Sequence, residues 1–386
     1  MASVKAYGMR IHAVSLPHTQ VTKDYISCAY TMKHLNFIKM MLSLDYEVYS
    51  YASEDNDIEA TENIVINTKE DQYRWFGEFQ GFDKLYNITW GINETHWLES
   101  NQKAIEEIGK RIQPGDFICL IAGICQKQIA DAFPNNPVVE YGIGYSGVFA
   151  NFKVFESYAH MHAIYGKLGT DDGSYYDAVI PNYFDPSEFK ISEKEDYYVF
   201  LGRFIRRKGI EIAVEATRQL GVKLIMAGQG CTVNGNTFTG SDITISGDHL
   251  EHIGPVNVKE RMELLSKAKA TFMPTQYLEP FGGVAVESLF CGTPVIASDF
   301  GAFTETVPHG IAGYRFRTIG EAAYFASDDM ISKLSSEQCR NWADRYSMDN
   351  IKYKYDDYFK QIHGLYDGTK TDFYSPLFHG RNNRYC

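Results

Sequence analysis

Short apolar runs alternate with segments of helical periodicity along most of the chain, and this alternation predicts an α/β doubly wound architecture. In the first half, apolar runs predict strands at 10–16 and 46–51. The run FICLIAG follows the Pro114-Gly115-Asp116 turn and is typical of a buried parallel strand, as is VVEYG after Pro137. Residues 101–112 have the pattern of an amphipathic helix.

The helix between the first two strands is predicted from apolar residues that recur every third position. The apolar positions are Met32, Leu35, Ile38 and Met41. Lys33, His34 and Lys39 occupy the opposite face, which we expect to be exposed to solvent.

The second half repeats the same alternation more regularly. Strands are predicted at 197–201, 222–227, 270–274 and 295–298, with helices at 209–220, 257–268, near 283–290 and after 320. The polar, Gly- and Thr-rich stretch 229–251 favours an elaborated hairpin or loop.

This pattern divides the chain into two Rossmann-like domains, expected to face each other across a cleft. The Pro-containing connector at 180–183 gives a predicted N-terminal domain of 1–180 and a C-terminal domain of 181–345. Residues 346–386 are predicted to form a helical tail that packs back toward the N-terminal domain.

Composition and charge argue against several classes of partner and of site. With 37 Lys and Arg against 49 Asp and Glu, the net charge of −12 argues against nucleic acid and anionic lipid as partners. Seven cysteines without a CxxC pair indicate scattered reduced thiols, not a disulfide framework or a zinc site. Because no signal peptide or membrane-spanning run is visible, we expect a cytoplasmic protein.

Two segments of the second half carry candidate chemistry. The first, Gly202–Gly209, follows a predicted strand and opens a helix, and there Arg203 and Lys208 are suited to bind an anion. A solvated basic turn is the alternative.

The second segment contains Glu279 and Glu287, with the paired glycines Gly282 and Gly283 between them at a predicted helix start. Glu279 could instead be a charge favoured by the helix dipole and Glu287 a surface residue, although Glu287 has apolar neighbours.

Together these segments resemble the family 4 retaining glycosyltransferases of the GT-B fold, over roughly residues 178–360. The resemblance is carried by LGRFIRRKG, IMAGQG, HIGPV and EPFGGVAVESLFCGTPVIASDFGAFTETVPHGIAGY. It implies that Arg203 and Lys208 hold the donor diphosphate, with Glu279 at the transferred sugar and Glu287 at the ribose. The further donor-binding residues that it implies are Gly228, His252 and Ile253 near the base, and Phe281, Gly282, Gly283 and Val284 near the sugar and phosphates.

The first half departs from the family pattern. Where many members have a Gly-Gly turn after the first strand, this chain has Leu16-Pro17-His18-Thr19-Gln20. Where many have a histidine beside the transferred sugar, the loop reads Tyr141-Gly142-Ile143-Gly144-Tyr145-Ser146-Gly147. The candidate replacements are His18, Gly144 and Tyr145, or a residue of the segment 156–162.

Two other patterns suggest different chemistry. Gly142-x-Gly144-x-x-Gly147 matches the dinucleotide fingerprint, but an aromatic-rich stretch follows it and no acidic residue ends a strand about 20 residues on. Asp171-Asp172 is a possible metal site, which the resemblance argues against because that fold handles leaving-group charge with side chains and a helix dipole.

The expected activity is therefore transfer of a sugar from a nucleotide-diphosphate sugar, with UDP- and GDP-sugars favoured, to an acceptor hydroxyl with retention of configuration. The resemblance implies no cofactor and no metal, and an acceptor that is a glycan, a glycoconjugate or a small molecule. A nucleotide-sugar epimerase or hydrolase of the same fold is the alternative enzyme, and a sugar-nucleotide-binding protein with a dead site is the non-enzymatic one.

Overall fold

Two parallel β-sheets, one in each half of the chain, organise the fold. The computed structural model describes residues 8–25, 28–81, 86–173 and 176–365. One unit consists of Met1–Tyr183 with Met348–Cys386, and the other of Phe184–Ser347. Cys386, one of the seven cysteines expected to be reduced, and the end of the predicted tail lie outside the described residues.

The first unit contains a seven-stranded sheet in the order β3-β2-β1-β4-β5-β6-β7, with every pairing parallel. All residues of β4 and β5 are buried, as expected for strands covered on both faces. The strands are β1 Arg10–Val14, β2 Glu47–Ser53, β3 Glu62–Asn67, β4 Phe117–Leu120, β5 Val138–Ile143, β6 Phe152–Phe155 and β7 Asp177–Val179. The helices are α1 Ala29–Leu42, α2 Lys69–Phe76, α3 Thr95–Gly109, α4 Lys127–Ala132 and α5 Tyr158–Leu168.

The helix α1 confirms the predicted element, but the prediction of its solvated face is wrong. Lys33 and His34 are only 3% and 1% exposed, whereas Lys39 is exposed. The Lys33 ammonium forms an ion pair with Glu156 at 2.5 Å and donates to the carbonyl of Gly142 at 2.9 Å. The charged side chain is tolerated in the interior because these partners replace water.

The second unit contains a six-stranded parallel sheet in the order β13-β9-β8-β14-β15-β16. Counted within each unit, both sheets start with the order 3-2-1-4-5-6 of doubly wound nucleotide-binding folds, so the predicted fold class is confirmed. The strands are β8 Tyr198–Leu201, β9 Leu224–Ala227, β10 Thr232–Asn234, β11 Thr237–Thr239, β12 Thr244–Ser246, β13 Leu250–His252, β14 Ala270–Met273, β15 Val295–Ser298 and β16 Gly313–Phe316. The helices are α6 Ile210–Leu220, α7 Val258–Lys267, α8 Gly283–Phe290, α9 Phe303–Thr306, α10 Ile319–Phe325, α11 Asp328–Ile331 and α12 Ser336–Ala343.

The stretch 229–251 is an antiparallel sheet of β10, β11 and β12, followed by β13. The predicted hairpin is confirmed, but β13 belongs to the main sheet, which the prediction missed. Phe238 and Ile245 of the small sheet are buried against the apolar core of the second unit, so the insertion packs against the domain instead of projecting from it.

The final described helix, α13 Met348–His363, belongs to the first unit. Its buried aromatic residues join the core beside α1, where the ring of Phe37 lies 5.4 Å from that of Tyr355. The hydroxyl of Tyr46 also donates to Asp356 at 2.9 Å. These contacts complete the core of the first unit with the distant C-terminal part of the chain.

Within the described ranges, no helix is both long enough and apolar enough to cross a bilayer. The six described cysteines are free thiols.

The buried histidine His34 makes the stability of the first unit depend on pH. Its Nδ1 lies 2.7 Å from the hydroxyl of Tyr141, and burial lowers its pKa to about 3. In the unfolded chain its pKa returns to about 6.5, so between these values the unfolded state binds more protons. We expect this residue alone to reduce the free energy of unfolding by about 2 kcal/mol between pH 7.5 and pH 5.

Urea unfolding of the wild type and of His34→Gln at both pH values measures this term as the difference between their pH dependences. The variant is expected to lose less stability on acidification. Equal losses in the two proteins would contradict the assignment.

Candidate functional site

The order of the second sheet reverses between β8 and β14, and ligands of doubly wound folds bind outside the carboxyl ends of the strands at such a point. The loops that follow these strands contact each other, since the amide of Gln276 donates to the carbonyl of Arg207 at 2.9 Å. Gly209 has a φ of +74°, and a Cβ there would overlap the carbonyl oxygen of Pro274. The close approach of the two loops therefore requires glycine at this position.

Across this contact, Lys208 and Glu279 form an ion pair. The Lys208 Nζ lies 2.9 Å from a carboxylate oxygen of Glu279 and donates to the hydroxyl of Tyr277 at 2.7 Å. Burial lowers the pKa of Lys208, but the charge of Glu279 and the hydrogen bonds to Glu279 and Tyr277 together outweigh it, so the pKa is raised and the ammonium keeps its charge. The structure thus brings together two of the predicted site residues.

The predicted phosphate ligand Arg203 is exposed, and its side chain has no hydrogen-bond or ion-pair partner among the residues described. The neighbouring Arg207 differs, because its guanidinium lies over the ring of Tyr277 at 3.9 Å. The loop after β8 therefore offers one cation held by a carboxylate and one that is available to a ligand.

The helix α8 begins where the two predicted glycines lie. Gly282 has a φ of +80°, and a Cβ there would overlap the ring of Phe303. Phe281 is buried, with its ring 6.3 Å from that of Phe184, and Val284 is half-buried. The first amides of a helix have no intrahelical acceptor, so Gly283 starts a helix whose N-terminus is suited to an anion.

Glu287 has a partner that sequence reasoning missed. Its carboxylate accepts from Arg261 Nε at 2.7 Å and from a second nitrogen of the same guanidinium. Because Arg261 lies on α7, 26 positions away and outside any motif, nothing in the sequence signalled this pair. Glu287, a residue that is 9% exposed, therefore carries a paired charge and not an isolated one.

The residues predicted near the nucleotide base follow β9 and β13. Gly228 donates to the carbonyl of Gly254 at 2.9 Å, and its φ of +142° places it where a Cβ would overlap the carbonyl of Gly202. His252 packs edge-on against Phe204 at 5.8 Å, and its buried Nε2 has no partner within the described residues. Burial lowers the pKa of His252, opposed by a hydrogen bond involving the Gly228 backbone.

Ile253 is exposed, next to His252. The loops after β8, β9, β13 and β14 therefore form one continuous surface at the carboxyl edge of the second sheet.

The inserted small sheet supports this surface from the side. Asp242, in the turn between β11 and β12, accepts from the backbone amide of Arg206 at 2.8 Å. The amide of Phe204 donates to Gln229 at 2.9 Å. The insertion thus fixes the loop that carries Arg203 and Lys208, a role that its polar composition did not indicate.

The first unit has its own reversal of strand order, between β1 and β4. There the side chain of Gln126 accepts from the amides of Ile121 and Ala122 at 2.9 Å and donates to the carbonyl of Ser15 at 3.0 Å. His18 follows β1 and is 4% exposed, with an Nδ1 that has no partner in the described part of the chain. Burial, assisted by the nearby His96, lowers the pKa of His18 to about 3.

Tyr30 and Trp90 join the three predicted first-unit candidates into one cluster. The Tyr30 hydroxyl lies 3.4 Å from the carbonyl of Gly144, and its ring is 5.9 Å from that of Tyr145 and 6.1 Å from that of Trp90. Trp90 in turn lies 6.0 Å from the ring of His18. Neither Tyr30 nor Trp90 belongs to a recognisable motif, so sequence reasoning missed both.

The other first-unit candidates have structural partners. Besides the Glu156–Lys33 pair, His160 Nε2 lies 3.0 Å from the carbonyl of Tyr145. The Gly142–Gly147 loop is followed by the strand β6 and not by a helix, so it lacks the helix N-terminus of a dinucleotide site. In the described ranges, no group of three or more His, Cys, Asp and Glu side chains is placed to hold a metal ion.

Comparison with protein families finds a similarity in the second half of the chain. Residues 183–342 match the family described as Glycosyl transferases group 1. An uncharacterized glycosyltransferase of Methanocaldococcus jannaschii is 29% identical over 127 residues, which cover 32% of this chain and 32% of that protein. The matched regions span 15% to 39% of the lengths of several curated relatives.

Solved structures resemble the fold over almost the whole chain. Sucrose-phosphate synthase from Thermosynechococcus elongatus has a TM-score of 0.66 at 17% identity, covering 93% of this chain and 100% of that one. Anabaena HepE, solved in complex with UDP and glucose, has a TM-score of 0.62 at 15% identity, covering 91% and 99%. The fold is that of the GT-B glycosyltransferases, and residues 183–342 are similar in sequence to the Glycosyl transferases group 1 family.

Proposed function

We propose that this protein is a retaining glycosyltransferase that transfers a sugar from a nucleotide-diphosphate sugar to an acceptor hydroxyl. The observation that carries the proposal is the Lys208–Glu279 pair at the reversal of strand order, within the region similar to Glycosyl transferases group 1. The same loop carries Arg203, whose side chain has no partner among the described residues. UDP- and GDP-sugars are the favoured donors. Among the structural neighbours, HepE is a protein solved with UDP-glucose.

In the proposed reaction, the bond between the anomeric carbon and the β-phosphate oxygen breaks, and its electron pair stays on that oxygen. Arg203 and Lys208 stabilise the growing negative charge together with the amides at the start of α8. The acceptor hydroxyl attacks the same face of the sugar, and its proton passes to the departing phosphate. Lys208 enters this step protonated because Glu279 raises its pKa.

The two glutamates have separate proposed roles. Glu279 contacts the transferred sugar and Glu287 the ribose, while Gly228, His252 and Ile253 border the base. Glycans, glycoconjugates and small molecules are all acceptors that fit the proposal. No cofactor takes part.

A thermal-shift screen with UDP-, GDP-, ADP- and dTDP-sugars tests the donor, and proton NMR of the product tests retention at the anomeric carbon. Consumption of a nucleotide sugar at an equal rate with and without any acceptor would overturn the proposal in favour of an epimerase or hydrolase.

Arg203→Ala is expected to lower kcat by about 10²–10³-fold, because it removes a charge that meets the leaving diphosphate. Its thermal unfolding should be unchanged, since the side chain is exposed. Steady-state kinetics and circular dichroism measure the two effects. Lys223→Ala, which removes an exposed cation paired with Glu251 at 2.6 Å, is the control and should keep wild-type kinetics. Normal turnover by Arg203→Ala would remove this residue from the site.

Glu279→Gln is expected to depress kcat more than it weakens UDP binding, since the transferred sugar gains positive charge as its bond breaks. Glu287→Gln should mainly weaken UDP binding, because the ribose does not react. Calorimetry with UDP and kinetics on both variants separate these effects. The reverse pattern would exchange the two roles.

The Arg261–Glu287 pair supplies a control for this comparison. Arg261→Gln removes the same ion pair without removing the proposed ribose ligand. If it weakens UDP binding as much as Glu287→Gln does, Glu287 acts by holding α7 against α8 and not by contacting the donor.

Activity is expected to survive EDTA, because the proposed site neutralises the diphosphate with side chains and helix amides. The measurement is the initial rate before and after chelation, with Mn²⁺ or Mg²⁺ added back. Complete loss that either ion restores would contradict the metal-independent mechanism and direct attention to Asp171 and Asp172.

A further inference from the structure

A row of four rings lies at the carboxyl edge of the first sheet. In order they are His18, Trp90, Tyr30 and Tyr145, with neighbouring ring centroids 5.9–6.1 Å apart. Their elements meet there because His18 follows β1, Tyr30 lies in the first turn of α1 and Tyr145 follows β5. The row therefore occupies the edge where doubly wound sheets bind ligands, beside the reversal of strand order.

Trp90 is the ring in this row with the most surface left for a ligand. It is 49% exposed although three rings adjoin it, those of His18 at 6.0 Å, Tyr30 at 6.1 Å and Trp97 at 5.4 Å. The indole N–H groups of the other tryptophans donate to protein oxygens: Trp75 to Glu99, Trp97 to Thr89 and Trp342 to Thr306. Within the described residues the Trp90 indole N–H has no acceptor. A fixed aromatic face with an unused donor is suited to a ligand that is apolar on one side and hydroxylated at its rim.

A second unused polar group lies beside this ring. The side chain of His18 is 4% exposed, and its buried Nδ1 has no partner in the described part of the chain. Buried polar atoms are nearly always hydrogen-bonded, so an unsatisfied one next to an open ring needs an explanation. A hydroxylated ligand that reaches the histidine would supply the partner.

The charges around the four rings indicate which class of ligand this surface favours. Burial keeps His18 neutral, since its pKa is lowered to about 3. Lys33 lies 4.5 Å from the centre of the Tyr30 ring, but its charge is matched by Glu156 at 2.5 Å. Among the four rings and Lys33, no described side chain offers an unpaired charge to a phosphate or a carboxylate, in contrast to the loop after β8 with Arg203.

We propose that Trp90, Tyr30, Tyr145 and His18 form the acceptor site and that it takes a neutral saccharide. The C–H face of a sugar ring packs on the indole of Trp90, and its hydroxyls accept from the indole N–H and exchange hydrogen bonds with His18. This inference rests on the proposed function, because it names the acceptor class of the same transfer reaction.

The test uses the full chain labelled with ¹⁵N, whose tryptophan indoles give separate NMR signals. The Trp90 signal is assigned by its loss in Trp90→Phe. The probes are maltose, cellobiose and lactose at millimolar concentration, with glucose 6-phosphate as a charged probe and cyclohexanol as an uncharged apolar one. We expect at least one neutral disaccharide to shift the Trp90 signal and to leave that of Trp342 in place, with no shift from the charged probe.

Trp90→Ala should weaken binding of that disaccharide by at least about tenfold and leave the affinity for UDP unchanged. Tyr353→Ala, which truncates an exposed ring on α13, is the matched control and should bind both ligands as the wild type does. Trp90→Phe keeps a ring but loses the N–H, so it should bind the disaccharide with intermediate affinity. If Trp90→Ala does not fold, the disaccharide affinity of Trp90→Phe still tests the role of this residue.

The outcomes distinguish this inference from the proposed function. If UDP binds but no neutral disaccharide moves the Trp90 signal, or if cyclohexanol or glucose 6-phosphate moves it instead, the saccharide site is overturned and the proposed function stands. If neither UDP nor any nucleotide sugar binds, the proposed function fails. A disaccharide shift would then still identify a saccharide site, but not an acceptor site.

Discussion

The close approach of backbone loops where the strand order of the second sheet reverses is the constraint on which the candidate donor site depends. A side chain at Gly209 would overlap Pro274, and one at Gly228 would overlap Gly202, so both positions require glycine. Both also have positive φ, which glycine adopts without the strain that a side chain imposes. With the loops in contact, Lys208 after one strand reaches Glu279 after another. A larger residue at either glycine would separate the loops and the charges that they carry.

The contact between these loops also determines the charge of Lys208. Burial disfavours the charge of Lys208, but Glu279 and Tyr277 together raise its pKa, so a cation is held in a half-buried position. Arg203 is exposed and has no such partner in the described part of the chain. A polyanionic ligand would meet one cation that is already positioned and one that is free to move toward it. Only the second pays the full loss of side-chain freedom on binding.

The sequence predicted the elements of the second unit closely because each strand there is a short apolar run between clear turn signals. Its failures have a common physical origin in partners that are distant along the chain. Lys33 and His34 were expected in solvent because they lie opposite the apolar positions of their helix, yet Glu156 and Tyr141 provide partners for them in the interior. Arg261 escaped notice because its partner Glu287 is 26 positions away. The periodicity of apolar residues predicts which face of a helix is buried. It carries no information about a buried charge whose partner lies on another helix or strand.

The two reversals of strand order show how one topology supports different chemistry. In the second unit the loops carry cations, and glycines keep the backbone close to whatever binds there. In the first unit the corresponding loops are tied by the neutral side chain of Gln126, and the adjoining surface consists of aromatic rings and an uncharged histidine. Strand order fixes where each surface forms but not which side chains cover it. The surface of the second unit is therefore suited to phosphates, and the surface of the first unit is suited to a neutral ring. The chemistry of each edge therefore follows from its loop residues, and this is why the family pattern could guide the donor side while the first half required the structure.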